Sequence, residues 1–329
     1  MRMKTVLKSA LAVLAMAAGA ATAQTQALKI GLPSLSMYTM IYHVAQDRGF
    51  FDKEGVKAEL MHFESGAINM RALLARAVDV SEVETALILG AAGSGADLTV
   101  FGTQCQGVHF ALYAKKDIKD LKSLQGRSFG ISGIGGLPHV VILALMDRQR
   151  LDADKVQMLT VGGTGARLKS LIAGKIDATL GEYSPTVEAD PSLHRLLIVS
   201  QELPLYMAQG LTVWTDTLPA KRDALERMQR ALVSTTRWAY DNKTEFVAAA
   251  RKHLPASADE LSQVYDFYMQ ARVWAINGEL DPKRLAYMQE LGLKTKTQPK
   301  PVNLEKLVMP ELTDRAIAKL GKREYPAKR

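Results

Sequence analysis

The chain has 329 residues, a formal net charge of +8, 47% hydrophobic residues and a single cysteine, Cys105. One cysteine cannot close an internal disulfide, and a chain of this length can bury large cores in roughly two domains without one. The basic residues are scattered rather than interleaved with aromatic residues along one stripe, which argues against a nucleic-acid-binding protein.

The first 23 residues have the features of a secretory signal. Arg2, Lys4 and Lys8 precede an uncharged apolar run at 10–21, and the small residues Ala-Thr-Ala follow, ending at Ala23. The run is shorter than the roughly 20 residues that span a bilayer. We therefore predict a cleavable signal peptide, cleavage after Ala23, and a periplasmic protein without a lipid anchor, because no cysteine follows the run.

From residue 28 onward the chain alternates short β-rich runs with helical patterns. In the first set, strands are predicted at 28–32, 56–63, 78–83 and 98–103, and helices at 40–51, 68–77 and 86–92. In the second set, strands are predicted at 128–132, 156–161, 176–180 and 196–200, and helices at 138–150, 166–173 and 185–189. Strands that alternate with helices in this way indicate parallel βαβ units.

Two extended apolar segments lie beside the second set, at Phe110–Ala114 and Gly210–Trp214, and we predict that they are the strands that cross between two lobes. After Pro219 the pattern becomes almost wholly helical. Isolated helices are marginal in water, so these helices are expected to pack on the first lobe, which is the nearest folded body.

The predicted fold class is therefore α/β, with two lobes that are each a mostly parallel sheet flanked by helices and joined by a two-strand hinge. The predicted domains are the signal peptide at 1–23, a discontinuous first lobe at 24–113 plus 207–329 that includes the C-terminal helices, and a second lobe at 114–206.

Five stretches, in order along the chain, together resemble one known family. Tyr42–Phe51 resembles an "A-x-x-x-G-F-F" helix end, and residues 52–56 (DKEGV) resemble its "K-x-E-G-hydrophobic" turn. Residues 63–66 lie where that family has its second ligand loop, 171–178 (LIAGKIDA) resemble "L-x-x-G-x-x-D-A", and 238–242 (WAYDN) resemble "W-x-x-x-N".

The family is that of the NMT1-like, type II periplasmic binding proteins, which serve nitrate, sulfonate, taurine and thiamine-precursor ABC importers. The resemblance covers essentially the whole mature chain and implies the two-lobed fold and an importer partner. Two positions depart from the family pattern: Arg76 stands where glycine is usual, and Glu84 stands where a small residue is common.

Ligands of open α/β sheets bind outside the carboxyl ends of the strands, where helix N-termini offer unpaired N–H groups. Fourteen residues are predicted to bind ligand on this basis and from their polar chemistry: Ser36, Tyr38, Ser65, Gly66, Glu84, Thr85, His109, Gly135, His139, Thr164, Gly165, Arg167, Glu182 and Tyr183. Structural roles compete with binding at several of them, such as helix capping at Ser36 and Thr85 and an ion pair at Arg167.

The charges of these residues indicate ligands of opposite charge. Glu84 and Glu182 favour an amine or an N-heterocycle, whereas Arg167, His139 and His109 favour an anion that a guanidinium could bind in bidentate fashion. The sequence leaves this choice open.

The predicted function is that of the solute-binding component of an ABC importer. It would capture a small organic molecule, a sulfonate, an aromatic or other carboxylate, or an N-heterocycle, by hinge closure, and deliver it as a monomer to a permease of the inner membrane. No metal, cofactor or nucleic acid is expected, and the protein is predicted not to be an enzyme. The alternatives are an enzyme of the thiamine-pyrimidine synthesis type on the same scaffold and the receptor of a sensory system.

Overall fold

The structure, a computed structural model, describes residues 26–326, and the predicted signal peptide lies outside this range. Ten strands form two five-stranded sheets. The first sheet contains β1 (Gln26–Leu32), β2 (Val56–His62), β3 (Val80–Glu84), β4 (Leu98–Gly102) and β10 (Gln209–Trp214). The second sheet contains β5 (Phe110–Lys115), β6 (Ser128–Ile131), β7 (Gln157–Thr160), β8 (Ala178–Glu182) and β9 (Leu193–Ile198).

The two sheets have the same arrangement. The strand order is β2-β1-β3-β10-β4 in the first and β7-β6-β8-β5-β9 in the second. In each, three parallel strands are followed by one antiparallel strand, β10 or β5, and then by the fifth strand. The α/β fold with two mostly parallel sheets is thus as the sequence predicts.

Helices flank both sheets. Those of the first lobe are α1 (Met40–Asp47), α2 (Phe50–Lys53), α3 (Gly66–Leu74) and α4 (Thr85–Gly93). Those of the second lobe are α5 (Leu137–Arg148), α6 (Thr164–Ile172), α7 (Pro185–Glu188) and α8 (Val199–Glu202). The single helix predicted at 40–51 is divided into α1 and α2, because Gly49 takes a left-handed conformation with a φ of 69° that ends the first helix.

Six further helices follow β10: α9 (Leu218–Asp241), α10 (Lys243–Ala250), α11 (Ala258–Gln270), α12 (Pro282–Lys294), α13 (Leu304–Leu307) and α14 (Glu311–Leu320). They pack on the first sheet and its helices. Thr313 on α14 donates its hydroxyl to the Phe101 carbonyl of β4, and Arg230 on α9 pairs with Glu54 beside α2 at 2.8 Å. None of the helices within residues 26–326 is both long and apolar enough to cross a bilayer.

Trp274, which follows α11, joins the C-terminal helices to the first strand's loop. Its side chain is fully buried and packs against the rings of Phe246, Tyr265 and Tyr268. Its indole Nε1–H donates to the backbone carbonyl of Tyr38 at 3.1 Å. The C-terminal helices therefore hold in place a loop that follows β1.

The chain crosses between the sheets at 103–109, from β4 to β5, and at 203–208, from the second lobe to β10. The segments predicted as crossing strands, Phe110–Ala114 and Gly210–Trp214, instead lie inside the sheets, directly after the crossings. Each is buried between two neighbouring strands, which explains why an uninterrupted apolar run marks them. The predicted domain limit at 113/114 falls within β5, and the limit at 206/207 falls within the second crossing.

The two crossings are hydrogen-bonded to each other and to the first lobe. The Gln209 amide donates to the Cys105 carbonyl at 3.1 Å. A carboxylate oxygen of Glu82 on β3 accepts from the amides of Gln104 and Cys105, both at 3.0 Å. On the outer side, Arg284 of α12 donates to the Gln106 carbonyl at 3.0 Å. The hinge is therefore a paired two-strand connection that is anchored to one lobe.

Candidate functional site

A narrow cleft lies between the two sheets. As in other open α/β sheets, it lies at the carboxyl ends of the strands. The first lobe contributes Pro33 and Ser34 after β1, residues 64–66 after β2, and Glu84 at the end of β3. The second lobe contributes Ser132 after β6 and Gly163, Thr164 and Arg167 at the start of α6. The first crossing contributes His109, and β10 contributes Gln209.

The structure brings together half of the residues predicted from sequence. Those that line the cleft are Tyr38, Ser65, Gly66, Glu84, His109, Thr164 and Arg167. Ser36, Gly165 and Glu182 line a groove of about 710 Å³ that shares Ser34, Glu64 and Thr164 with the cleft.

The four other predicted residues lie elsewhere. Gly135 and His139 line a separate groove with Ala67 and Thr295, and His139 there accepts a hydrogen bond from the Gly135 amide. Thr85, the first residue of α4, is buried, and its backbone amide donates to the carbonyl of Ala208. Tyr183 stacks on Phe267 of α11 with the ring planes 12° apart.

Five buried polar atoms of the cleft lack a hydrogen-bond partner among the residues that the structure describes. They are the Tyr38 hydroxyl, Glu84 Oε2, His109 Nε2, the Ser132 hydroxyl and Gln209 Oε1. Nearly all buried polar groups in folded proteins are paired, and each unpaired one costs about 1–3 kcal/mol. A cluster of them, drawn from both lobes and the hinge, indicates partners that come from outside the chain.

Glu84 is held against the backbone of Gly66. A Cβ atom placed on Gly66 would lie 1.5 Å from Glu84 Oε2, so a side chain at this position would force the Glu84 carboxylate to move. Glu84 occupies the N-cap position of α4, yet its side chain makes no capping hydrogen bond. Its carboxylate is therefore directed into the cleft rather than used to cap the N-terminus of the helix.

Arg167 is almost fully buried at the start of α6, and its guanidinium is bound by its own lobe. Its Nη1 donates to the Gly162 carbonyl at 2.6 Å, and its Nη2 donates to the Leu180 carbonyl at 3.1 Å and the Thr164 hydroxyl at 3.2 Å. Its Nε donates to Thr179 at 3.2 Å. Burial lowers the pKa of Arg167 to about 10, although Glu182 and Glu84 act in the opposite direction.

Three carboxyl groups are buried around the cleft and the hinge. Burial raises the pKa of Glu82, Glu84 and Glu182 to about 7 in each case. Glu82 is engaged by the first crossing. Glu182 Oε2 accepts the Tyr268 hydroxyl of α11 at 3.1 Å, which joins the second lobe to the C-terminal helices. Glu84 is the member of this group whose carboxylate faces the cleft without such a bond.

His109 lies in the first crossing between the rings of Tyr38, Phe110 and Tyr268. Burial lowers its pKa to about 3, so the imidazole is neutral. Its Nδ1 lies 3.5 Å from the Cys105 sulfur, and burial raises the pKa of that thiol well above its usual range. His109 therefore offers the cleft a neutral nitrogen rather than a positive charge.

Several contributors were missed from sequence, among them Ser132, Gln209 and Tyr268. Ser132 ends a predicted strand, so the carboxyl-end rule could have found it. Gln209 is a polar residue at the start of an apolar strand, which is a weaker signal. Tyr268 reaches the site from α11, and nothing in its neighbourhood along the chain indicates this. Within residues 26–326, no group of three or more His, Cys, Asp or Glu side chains is placed to hold a metal ion.

Comparisons with known proteins agree with this architecture. Residues 36–246 match the model of the family described as NMT1/THI5 like. YtlA of Bacillus subtilis (strain 168) is 21% identical over 304 residues, covering 88% of this chain and 90% of its own.

Two solved structures have a similar fold. The periplasmic aliphatic sulphonate binding protein SsuA from Escherichia coli has a TM-score of 0.70 at 16% identity, with 88% of this chain and 99% of that chain covered. The periplasmic nitrate-binding protein NrtA from Synechocystis PCC 6803 has a TM-score of 0.77 at 12% identity, with 91% and 90% covered.

The contact between Gly66 and Glu84 predicts that Gly66→Ala is destabilising. The added methyl group would displace the Glu84 carboxylate, and overpacking of this kind costs about 1–3 kcal/mol. Gly165→Ala is the matched control, because it is also in the first turn of a helix but has nothing within 4 Å of the added Cβ. Urea unfolding should show a change within about 0.5 kcal/mol for the control. Equal effects of the two substitutions would contradict the contact.

The raised pKa of Glu84 predicts a pH-dependent contribution to stability in the ligand-free protein. This carboxyl titrates near 4.5 in the unfolded chain and near 7 in the folded one, so the folded state binds more protons between these values. The stability that Glu84 contributes is present below pH 4.5 and is lost as the pH rises through about 7.

Glu84→Gln removes this titration. The free energy of unfolding of the natural protein minus that of the variant should therefore fall by up to about 3 kcal/mol between pH 4.5 and 7.5. Urea unfolding of both proteins across this range measures the difference, and a difference that does not change with pH would show that Glu84 is not buried as described.

Proposed function

Since the chain belongs to the NMT1/THI5-like family, we propose that it is the solute-binding component of an ABC importer. It captures a small polar organic molecule in the cleft between its lobes and presents the closed form to a permease of the inner membrane. The names of SsuA and NrtA describe periplasmic proteins that bind solutes, which supports this role.

The observation that carries the proposal is the cluster of unpaired polar atoms in the cleft. Tyr38, Glu84 and Gln209 belong to the first lobe, Ser132 belongs to the second, and His109 belongs to the first crossing. A ligand that bonds to all of them must contact both lobes at once. Such a ligand binds the closed arrangement better than an open one, and this difference in affinity is what drives closure.

Direct contacts between the lobes supplement the ligand. The Tyr268 hydroxyl donates to Glu182, and Tyr183 of the second lobe stacks on Phe267 of α11. A hydrogen bond of this kind contributes about 1 kcal/mol, and an aromatic pair contributes about 0.5–1.5 kcal/mol. The Thr186–Glu260 hydrogen bond and the Lys294–Asp147 ion pair also join the lobes, and we propose that ligand binding adds to this set of contacts to stabilise the closed form.

The proposed location is the periplasm, where a protein with this signal-like N-terminus would meet its solute before transport. We propose that it acts there as a monomer, because the bonding groups of the cleft come from both lobes of one chain.

The alternative is an enzyme on the same scaffold. The residues to consider for such an activity are Cys105 and His109. The Cys105 thiol is fully buried, has a raised pKa and is not among the residues that line the cleft. A nucleophilic cysteine needs a lowered pKa and access to substrate. The site therefore supports binding better than covalent catalysis.

The proposal predicts that a true ligand makes the protein more compact. A thermal-shift screen of the mature protein identifies candidates, since a ligand at about 100 times its Kd stabilises by about 2.7 kcal/mol. X-ray scattering with and without the best ligand should then show a smaller radius of gyration in its presence. A tightly bound ligand that leaves the radius of gyration unchanged would contradict capture by closure.

The Tyr268–Glu182 bond predicts a specific loss of affinity in Tyr268→Phe. Removing one interlobe hydrogen bond of about 1 kcal/mol should weaken binding of the screened ligand about fivefold. Tyr265→Phe is the matched control on the same helix, because that hydroxyl donates to the Ala239 carbonyl within the first lobe. Calorimetric titration should show affinity within about twofold for the control. Equal losses in both variants would remove Tyr268 from the closing mechanism.

A further inference from the structure

The charged and titratable groups that line the cleft with Glu84 are Arg167, the exposed Glu64, the neutral His109 and the hydroxyl of Tyr38. Glu182 and the Tyr206 hydroxyl lie nearby but do not line it. Among the described residues, the cleft therefore offers a ligand two carboxyl groups, those of Glu84 and Glu64, and one guanidinium.

The Arg167 guanidinium is not free to bind an anion in bidentate fashion. Four of its N–H groups already donate to oxygen atoms of the second lobe, two of which are the backbone carbonyls of Gly162 and Leu180. An anion bound in bidentate fashion would have to break these bonds and leave buried carbonyls unpaired. Arg167 holds the start of α6 to β8, and its charge acts on the cleft at a distance.

The side chain of Glu84 differs from that of Arg167, because one of its oxygen atoms has no hydrogen-bond partner. Its Oε2 is buried and unpaired, and the backbone of Gly66 closes the space behind it. The residue directly opposite it across the β3–β10 pair is Gln209, whose side chain also lines the cleft. Residues opposite each other in an antiparallel pair present their side chains on the same face. The carboxylate can therefore be satisfied by a donor that approaches from the cleft.

We propose that Glu84 is the specificity-determining residue of this site and that it requires a ligand with a protonated amino or amidinium group. The ligand donates N–H bonds to Glu84 Oε2, and an organic anion without such a group is excluded because it would place negative charge against a buried carboxylate. This inference rests on the proposed solute-binding function and names the ligand class for that site.

The test uses probes in pairs that differ mainly in the nitrogen group. They are benzamidine and benzoate, butane-1,4-diamine and succinate, and 4-(aminomethyl)benzoate and 4-methylbenzoate. Each is titrated into the mature protein and followed by thermal shift and by calorimetry. We expect at least one nitrogen-bearing probe to stabilise the protein at a concentration at which its partner does not.

Glu84→Gln keeps the shape of the side chain and its contact with Gly66 while removing the charge. It should weaken binding of the stabilising probe at least tenfold, because a hydrogen bond to a charged group is replaced by one to a neutral group. Glu82→Gln is the matched control. It neutralises a buried carboxyl two residues earlier on the same strand that bonds the hinge and does not line the cleft. The control should keep the preference for the nitrogen-bearing member.

A second measurement does not depend on the variant. Binding of a cation beside a carboxyl that is partly protonated near pH 7 releases protons, so calorimetric titration of the natural protein in two buffers of different ionisation enthalpy should show proton release. The proposal is overturned if the anionic members stabilise the protein equally or better. It is also overturned if the nitrogen-bearing members fail to stabilise it, or if their binding survives Glu84→Gln without loss.

Failure of this inference can be told apart from failure of the proposed function. An anionic probe that stabilises the protein and also reduces its radius of gyration leaves the solute-binding role in place and removes the role of Glu84. A nitrogen-bearing probe that depends on Glu84 but leaves the radius of gyration unchanged keeps the role of Glu84 and removes capture by closure from the proposed function.

Discussion

The unpaired Oε2 of Glu84, held against Gly66 in the cleft, is the constraint on which the proposed site depends. Burying a carboxylate oxygen without a partner is unfavourable, and we propose that a bound ligand supplies the missing donor. Around it, the Arg167 guanidinium is bound by its own lobe, and one carboxylate oxygen of Glu82 is bound by the hinge. Glu84 Oε2 is an unpaired acceptor that lines the cleft, and we propose that it is left for the solute.

The fold explains how such a point arises. Each sheet places three parallel strand ends beside one antiparallel strand, and the two antiparallel strands are those that follow the crossings. The carboxyl ends of both sheets therefore face each other across the hinge. The crossings are hydrogen-bonded to each other through the Ala208 amide and the Gln106 carbonyl. We propose that rotation of one lobe on the other about them changes the distance between Glu84 and Ser132 while each lobe stays intact.

The architecture could be predicted from the sequence because the alternation of β-rich and helical runs directly reflects βαβ units. The site was only partly accessible in this way. The rule that ligands lie at the carboxyl ends of strands led to Tyr38, Gly66 and Glu84, all of which line the cleft. The rule could not reveal that the guanidinium of Arg167 is already hydrogen-bonded within its own lobe. Two of its partners are backbone carbonyls, which no side-chain pattern indicates. Nor could the rule identify Tyr268 as a contributor, because its position depends on how the C-terminal helices pack.

The most direct measurement is a crystal structure of the mature protein with the solute that makes it compact. We expect a nitrogen of that solute within about 3.2 Å of Glu84 Oε2, and a second atom of the same molecule within hydrogen-bond distance of Ser132 in the other lobe. A solute that contacts one lobe only, or that leaves the Glu84 carboxylate without a donor, would contradict both the closing mechanism and the role of Glu84.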